Sequence, residues 1–247
     1  MPPAIRAEHL TVRYGAVTAL SEIDFELSAG RSVAILGPNG SGKSTLLAAA
    51  LGLVEPAAGR LDLASGGVAF VPQGIETPRE FPATVLDVVR MGRWPDLGWR
   101  RRFAVEDHER VLAAMDELGI EPIAATPFGE LSGGQRQRTL LAQAIAQDAP
   151  TLLLDEPFTG VDRPTRNALM RLIADWSKEG RTVLVATHDL ESAADYDLVL
   201  CLNRRQVAFG PPSGTLTEEV LRETFAGHLA RVGETLIDTA HHHHGAG

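Results

Sequence analysis

Polar and apolar positions alternate in short runs through the first quarter of the chain and then fuse into unbroken apolar stretches. Ala7 to Val12 and Ile23 to Leu27 carry the alternation and predict short strands with one covered face. Val33 to Leu36 is continuously aliphatic, as a strand buried on both faces requires, and the Ala/Leu-rich run Leu46 to Leu51 predicts a helix behind it. Residues 59–73 predict a hairpin-like pair of strands around Gly66-Gly67. From about 74 to 148 the strand signal disappears. Helical periodicity takes over at Thr84 to Met91 and Val105 to Leu118, between loops rich in Gly, Pro, Trp and Arg. Thr84 is placed to cap its helix, with Asp87 three residues on, and Val85, Val88 and Val89 form a stripe that can pack inward. Strands return at Leu152, Val183, Leu198 and Gln206 to Phe209, and 217–230 predicts a terminal helix.

This order predicts an α/β chain. Residues 5–73 and 149–215 form a core lobe, 74–148 an inserted helical lobe, 216–240 a C-terminal helix and 241–247 a disordered tail. A chain of 247 residues is ample for a real core, as one domain with lobes or two small ones. Its 23 basic and 32 acidic residues leave a formal charge of −9, which argues against non-specific nucleic-acid binding. Cys201 is the single cysteine and sits in the apolar run Leu198 to Leu202, so a buried thiol is expected. No disulfide can form within the chain, which fits a reducing compartment. The N-terminus lacks the pattern of a signal peptide. Aliphatic stretches such as Leu46 to Val54 fall far short of the roughly 18 to 20 residues that span a bilayer. Any membrane crossing is expected from other chains.

Gly37-Pro38-Asn39-Gly40-Ser41-Gly42-Lys43-Ser44-Thr45 matches G-x-x-x-x-G-K-[ST] at every fixed position, between the apolar strand and the helix such a loop needs. Its glycines let the backbone curl so that N–H groups point inward at phosphate oxygens, beside the partial positive charge of a helix N-terminus. Lys43 is expected at the β/γ-phosphates, and the Ser44 hydroxyl on Mg²⁺. Thr151 to Asp155 reads as a buried parallel strand ending in Asp155-Glu156. Asp155 is placed to hold Mg²⁺, and Glu156, pointing the other way, to polarise the water that attacks the γ-phosphate.

With Leu131-Ser132-Gly133-Gly134-Gln135 added, the chain resembles the ATP-binding-cassette family from about residue 5 to about residue 215. That run is similar to the family's signature sequence, opening a helix from Gln135 to Gln147. The resemblance implies a P-loop NTPase cassette: a RecA-like mixed-sheet core lobe, an N-terminal antiparallel β lobe and an inserted helical lobe. It implies two cassettes, a homodimer or a pair, facing head to tail, so that Ser132, Gly133, Gly134 and Gln135 close in trans on ATP held by the partner's phosphate loop. Asp162 matches the loop that crosses that seam. Tyr14 stands where the family places an aromatic against adenine. Gln73 looks like the glutamine that touches Mg²⁺ and the attacking water, and His188 like the histidine that reaches the γ-phosphate and Glu156.

The resemblance further implies an ATPase on the cytoplasmic side of the cell membrane. Its partners would be integral permease subunits and an extracytoplasmic solute-binding protein. Phe81 to Arg93, then Gly98-Trp99-Arg100-Arg101, is similar to the segment found in cassettes of manganese and zinc importers. Iron-chelate and cobalamin importers share a related pattern, and a non-transport nucleotide-gated cassette would carry the same site. In the family this lobe receives a short cytoplasmic helix of the membrane subunit. Trp94, Trp99 and Arg100-Arg101-Arg102 suit either rim contacts there or an ordinary solvated surface. His241 to His244 suits weak metal binding, a cloning remnant or a disordered end alike.

Overall fold

In the computed structural model the first strands are β1 (Ile5–Tyr14) and β2 (Val17–Leu27), an antiparallel pair running from Ile5 opposite Leu27 to Tyr14 opposite Val17. The structure describes residues 3–74, 78, 80–97, 102–159, 163–225, 229–232 and 235–238. Asp162, Gly98 to Arg101 and His241 to His244 lie outside the described residues. Contacts group the chain into two units, Met1–Ser65 with Leu172–Gly247, and Gly66–Arg171.

In the first unit, Ile5, Leu10, Val12, Leu20, Ile23 and Leu27 are wholly buried between β1 and β2 and what covers them. Each such side chain contributes roughly 1.5–3 kcal/mol relative to exposure. The strict alternation breaks at His9 and Glu22, which both take left-handed backbone (φ 48° and 51°) where the register of the pair shifts. Their exposed side chains meet there, His9 Nδ1 lying 3.3 Å from a carboxylate oxygen of Glu22 and of Asp24. The next elements are β3 (Ser32–Leu36), α1 (Lys43–Ala50) and β4 (Ala58–Leu63). β4 pairs antiparallel with β1, and Gly59 is obligatory in it. Its φ is 72°, and a Cβ would lie 2.2 Å from the carbonyl oxygen of His9.

The second unit begins with β5 (Val68–Val71), followed by α2 (Val85–Met91), α3 (Trp94–Leu97), α4 (Val105–Glu117), α5 (Gly133–Ala146) and β6 (Thr151–Asp155). β5 and β6 pair in parallel, Val71 opposite Leu154. Thr84 caps α2 through a reciprocal box. Its hydroxyl accepts from the Asp87 amide, while Asp87 accepts from the Thr84 amide and hydroxyl. Those hydrogen bonds from Thr84 hold the Asp87 carboxyl below its ordinary value. Val85, Val88 and Val89 are buried on the inner face of α2.

α6 (Arg163–Lys178) returns the chain to the first unit, where β7 (Thr182–Thr187), α7 (Leu190–Ala193), β8 (Leu198–Leu202), β9 (Gln206–Gly210), α8 (Pro212–Thr215) and α9 (Glu218–Thr224) follow. β3 pairs in parallel with both β7 and β8, and β9 joins β8 antiparallel, giving the order β7-β3-β8-β9. Every residue of β3 and β7 is buried, the reason their sequences are unbroken apolar runs. Asp197 ties the start of β3 to β8, accepting from the Ser32 amide (2.8 Å), the Ser32 hydroxyl (2.9 Å) and Arg31 (3.2 Å). Partial burial pushes its pKa up, but the bonds from Ser32 and Arg31 outweigh that and leave it lowered. Cys201 is a buried thiol whose pKa is pushed up to about 11 by desolvation, so it is chemically quiet.

Two expectations are corrected. The strands of 59–73 do not pair with each other: β4 pairs with β1, and β5 in parallel with β6. Gly66-Gly67 separates strands of two different sheets, because each finds a remote partner. The helix expected over 216–240 ends at Thr224. Beyond it β10 (Leu229–Val232) and β11 (Thr235–Asp238) pair antiparallel, Val232 opposite Thr235. Two short apolar runs two residues apart, the first of those two being Gly233, are a hairpin signal that the helical reading passed over.

Candidate nucleotide-binding site

Gly37 to Gly42 links the carboxyl end of β3 to α1, which Lys43 and Ser44 open, and the loop's backbone explains its glycines. Gly40 and Gly42 have φ of 77° and 103°. Gly37 tolerates no side chain, since a Cβ would lie 2.2 Å from the Leu202 carbonyl and 2.6 Å from the Ser41 hydroxyl. The buried Lys43 ammonium donates to the carbonyls of Gly37 (2.8 Å) and Pro38 (3.1 Å), so the loop's own carbonyls hold the cation in place. Pro38, Asn39, Ser41 and Thr45 complete the loop, which the Arg204 amide braces by donating to the Ser41 carbonyl at 2.7 Å. This gives a curled backbone, a helix N-terminus and a lysine in one place, the equipment for a polyphosphate.

Two further predicted residues lie in the same unit. Leu36 is opposite Thr187 in the parallel β3–β7 pair, so Gly37 and His188 leave adjacent strands at the same end. That is where ligands collect in open α/β sheets. Tyr14 ends β1 at the hairpin tip and is 51 % exposed, an aromatic face open to a planar ligand.

In the second unit, the parallel pairing of β5 and β6 brings Gln73 and Glu156 out at one end. Gln73 Nε2 donates to Glu156 Oε2 at 3.3 Å. The carbonyl oxygen of Gln73 is then the half of its amide left to face a cation. Asp155 is the buried last residue of β6, and Glu156 after it has left-handed backbone with φ 48°, a strained conformation for a glutamate. Thr159, which the sequence reading did not single out, donates from its hydroxyl to the same Glu156 Oε2 at 3.3 Å. The donors assigned to Mg²⁺, the Ser44 hydroxyl, the Gln73 carbonyl and the Asp155 carboxylate, are all hard oxygens and fit that ion by kind.

Ser132 caps α5 with a full box. Its hydroxyl accepts from the Gln135 amide at 3.3 Å, and its amide donates to Gln135 Oε1 at 3.0 Å. Gly133 and Gly134 open the helix with no positive φ, and a Cβ on either would meet nothing within 4 Å. Nothing among the described residues requires them to be glycine.

The family pattern described as ABC transporter matches residues 20–159. The manganese transport system ATP-binding protein MntB of Bacillus subtilis is 38% identical over 245 residues, covering 96% of this chain and 98% of that one. The zinc transport system ATP-binding protein TroB of Treponema pallidum is 39% identical over 235 residues, 92% of this chain and 88% of that one. Among solved structures, a dimeric bacterial ABC transporter cassette is 27% identical with a TM-score of 0.72, covering 84% of this chain and 98% of that one.

Proposed function

Because this chain belongs to the ABC transporter family and is an ATP-binding cassette ATPase, we propose that its ATP turnover powers uptake of a transition-metal ion, manganese or zinc, through separate membrane subunits. The manganese and zinc systems of the relatives above support the cargo, each aligned over nearly the full length of this chain. Among the described residues no helix is long and apolar enough to cross a membrane. The reading therefore assigns the crossing to permease subunits, with this chain on their cytoplasmic face and a solute-binding protein outside.

In this proposal Gly37 to Thr45 cradle the β- and γ-phosphates, Tyr14 covers the adenine, and the Lys43 ammonium turns from its loop carbonyls to the γ-oxygens. Ser44, Gln73 and Asp155 would hold Mg²⁺, which would supply charge neutralisation of the phosphate oxygens. Glu156 orients the attacking water, and His188 contacts the γ-phosphate. Ser132, Gly133, Gly134 and Gln135, with Asp162, act on the nucleotide of a partner cassette. A γ-phosphate shared between two copies holds them together, and its loss lets them part.

The observation that carries the two-copy reading is the contrast among glycines. Gly37 and Gly59 are demanded by neighbours, since a Cβ on either would lie 2.2 Å from a backbone carbonyl oxygen, whereas a Cβ on Gly133 or Gly134 would meet nothing within 4 Å among the described residues. Glycine at a helix start with nothing against it suits close approach by a group from outside the chain. In the second unit Phe81, Trp94, Phe103 and Val105 are large apolar side chains left exposed. We assign this helical segment, 74–148, to the docking of the membrane subunits. Uptake into vesicles carrying the chain with its co-purified permease tests the proposal: ATP-dependent accumulation of Mn²⁺ or Zn²⁺ is expected, abolished by Lys43→Ala. Transport of a chelate but of neither free ion would refute the cargo.

A further inference from the structure

We propose that Thr159 is a positioning residue that orients the hydrolytic carboxylate of Glu156; this rests on the reading of Glu156 as the group that activates water.

The local chain is built to bring these two side chains together. Glu156-Pro157-Phe158-Thr159 forms a reverse turn, closed by the Thr159 amide donating to the Glu156 carbonyl at 3.2 Å. Proline at its second position has φ already set for such a turn. The third residue, Phe158, lies under the guanidinium of Arg166, 5.6 Å from ring centroid to Cζ, which anchors the turn to the start of α6. Thr159 is thereby returned over Glu156, and its hydroxyl donates to Oε2.

Gln73 donates to that same oxygen. Two donors converging on Oε2 fix the plane of the carboxylate and turn Oε1 away from both of them, the orientation needed to accept a proton from an attacking water. The two donors are not equivalent. Gln73 is 83 residues from Glu156 and leads into the inserted helical segment, whereas Thr159 is three residues away on a proline-stiffened turn. The Thr159 bond is therefore set within one local turn, whereas the Gln73 bond depends on a segment remote in the chain. Thr159 is itself exposed, so no packing demand accounts for its hydroxyl.

The test uses the full chain and three variants: Thr159→Val, which keeps the shape and removes the donor, Thr159→Ser, which keeps the donor, and Glu156→Gln. Thr159→Val is expected to lower kcat roughly 3- to 10-fold, the effect of one hydrogen bond, with KM and ATP affinity unchanged. Thr159→Ser should restore kcat to within about twofold. In single-turnover measurements, adding Thr159→Val to Glu156→Gln should cause no further loss, because the hydroxyl acts through the carboxylate. Normal kcat in Thr159→Val beside an impaired Glu156→Gln would overturn this inference alone. So would a loss seen in ATP affinity, an equal loss in Thr159→Ser, or a full additional loss in the double variant. Wild-type turnover by Glu156→Gln would instead remove the premise about Glu156, and the inference with it.

Discussion

Arg93 Nε donates to Asp107 Oδ1 at 3.1 Å, and both side chains are almost wholly excluded from solvent, 4% and 1% exposed. The same guanidinium donates to the carbonyls of Ala146 and Gln147 at the end of α5, while Asp107 also accepts from the Ala104 amide at the start of α4. One ion pair thus joins the ends of α2, α4 and α5. Breaking it from one side leaves a buried charge and unsatisfied carbonyls, so Arg93→Met should destabilise by roughly 3–5 kcal/mol. Arg93→Lys should recover little, because an ammonium cannot reproduce the fork. Adding Asp107→Leu to Arg93→Met should cost less than the sum of the two single changes. Urea unfolding midpoints measure all three.

The glycines separate structural from functional demand. Gly37→Ala should fail to bind ATP and should lower stability, since its methyl group collides with the Leu202 carbonyl. Gly134→Ala should leave stability unchanged or raise it by up to about 1 kcal/mol at a helical position. ATP binding should stay normal while turnover falls at least tenfold, because the added methyl blocks approach from outside the chain. Calorimetry, thermal denaturation and steady-state ATPase assays give the three readings.

Lys43→Ala should weaken ATP binding by more than tenfold in calorimetry. The loop should remain folded, because its curl is set by the backbone of Gly37, Gly40 and Gly42 and by the Arg204 amide on the Ser41 carbonyl. Unchanged ATP affinity would remove Lys43 from its role.

Asp197 makes the first unit acid-sensitive. Its folded pKa lies below its ordinary value of 3.8, so its contribution is present above that value and is lost as pH falls through it towards the lower folded value. Asp197→Asn should lower the melting temperature at pH 7 and should flatten the decline in stability expected of the unaltered protein as pH falls below about 4. A parallel offset of the two curves would mean that this carboxylate does not titrate in the folding equilibrium.

The fold class was legible because fully buried strands are written as unbroken apolar runs: Val33 to Leu36, Leu152 to Leu154 and Val183 to Ala186 all lie in strands of the structure. Thr84 and Asp87 announced the cap of α2 because a capping box is a local device. Pairing was less legible. Ile5 opposite Leu63, and Val68 opposite Thr151, are contacts between segments far apart in the chain, and no local pattern in 59–73 names those partners. The end of the chain was misread because the apolar positions from Leu229 to Ile237 suit more than one period. In the candidate site, the phosphate loop was visible because it needs glycines at fixed spacing. Thr159 was not, since a threonine after a proline turn has many ordinary uses and only the folded geometry aims its hydroxyl. Arg93 and Asp107 were hidden for a related reason: charged residues usually signal surface, and here they meet in a core.

The claim that two copies complete each other's nucleotide sites is tested most directly by sedimentation of Glu156→Gln with MgATP, alone and combined with Gly134→Asp. An ATP-dependent dimer is expected for Glu156→Gln, and a monomer that still binds ATP with equal affinity for the combined variant. A dimer that survives Gly134→Asp, or a monomer of the unaltered chain that hydrolyses ATP at full rate at every concentration, would contradict it.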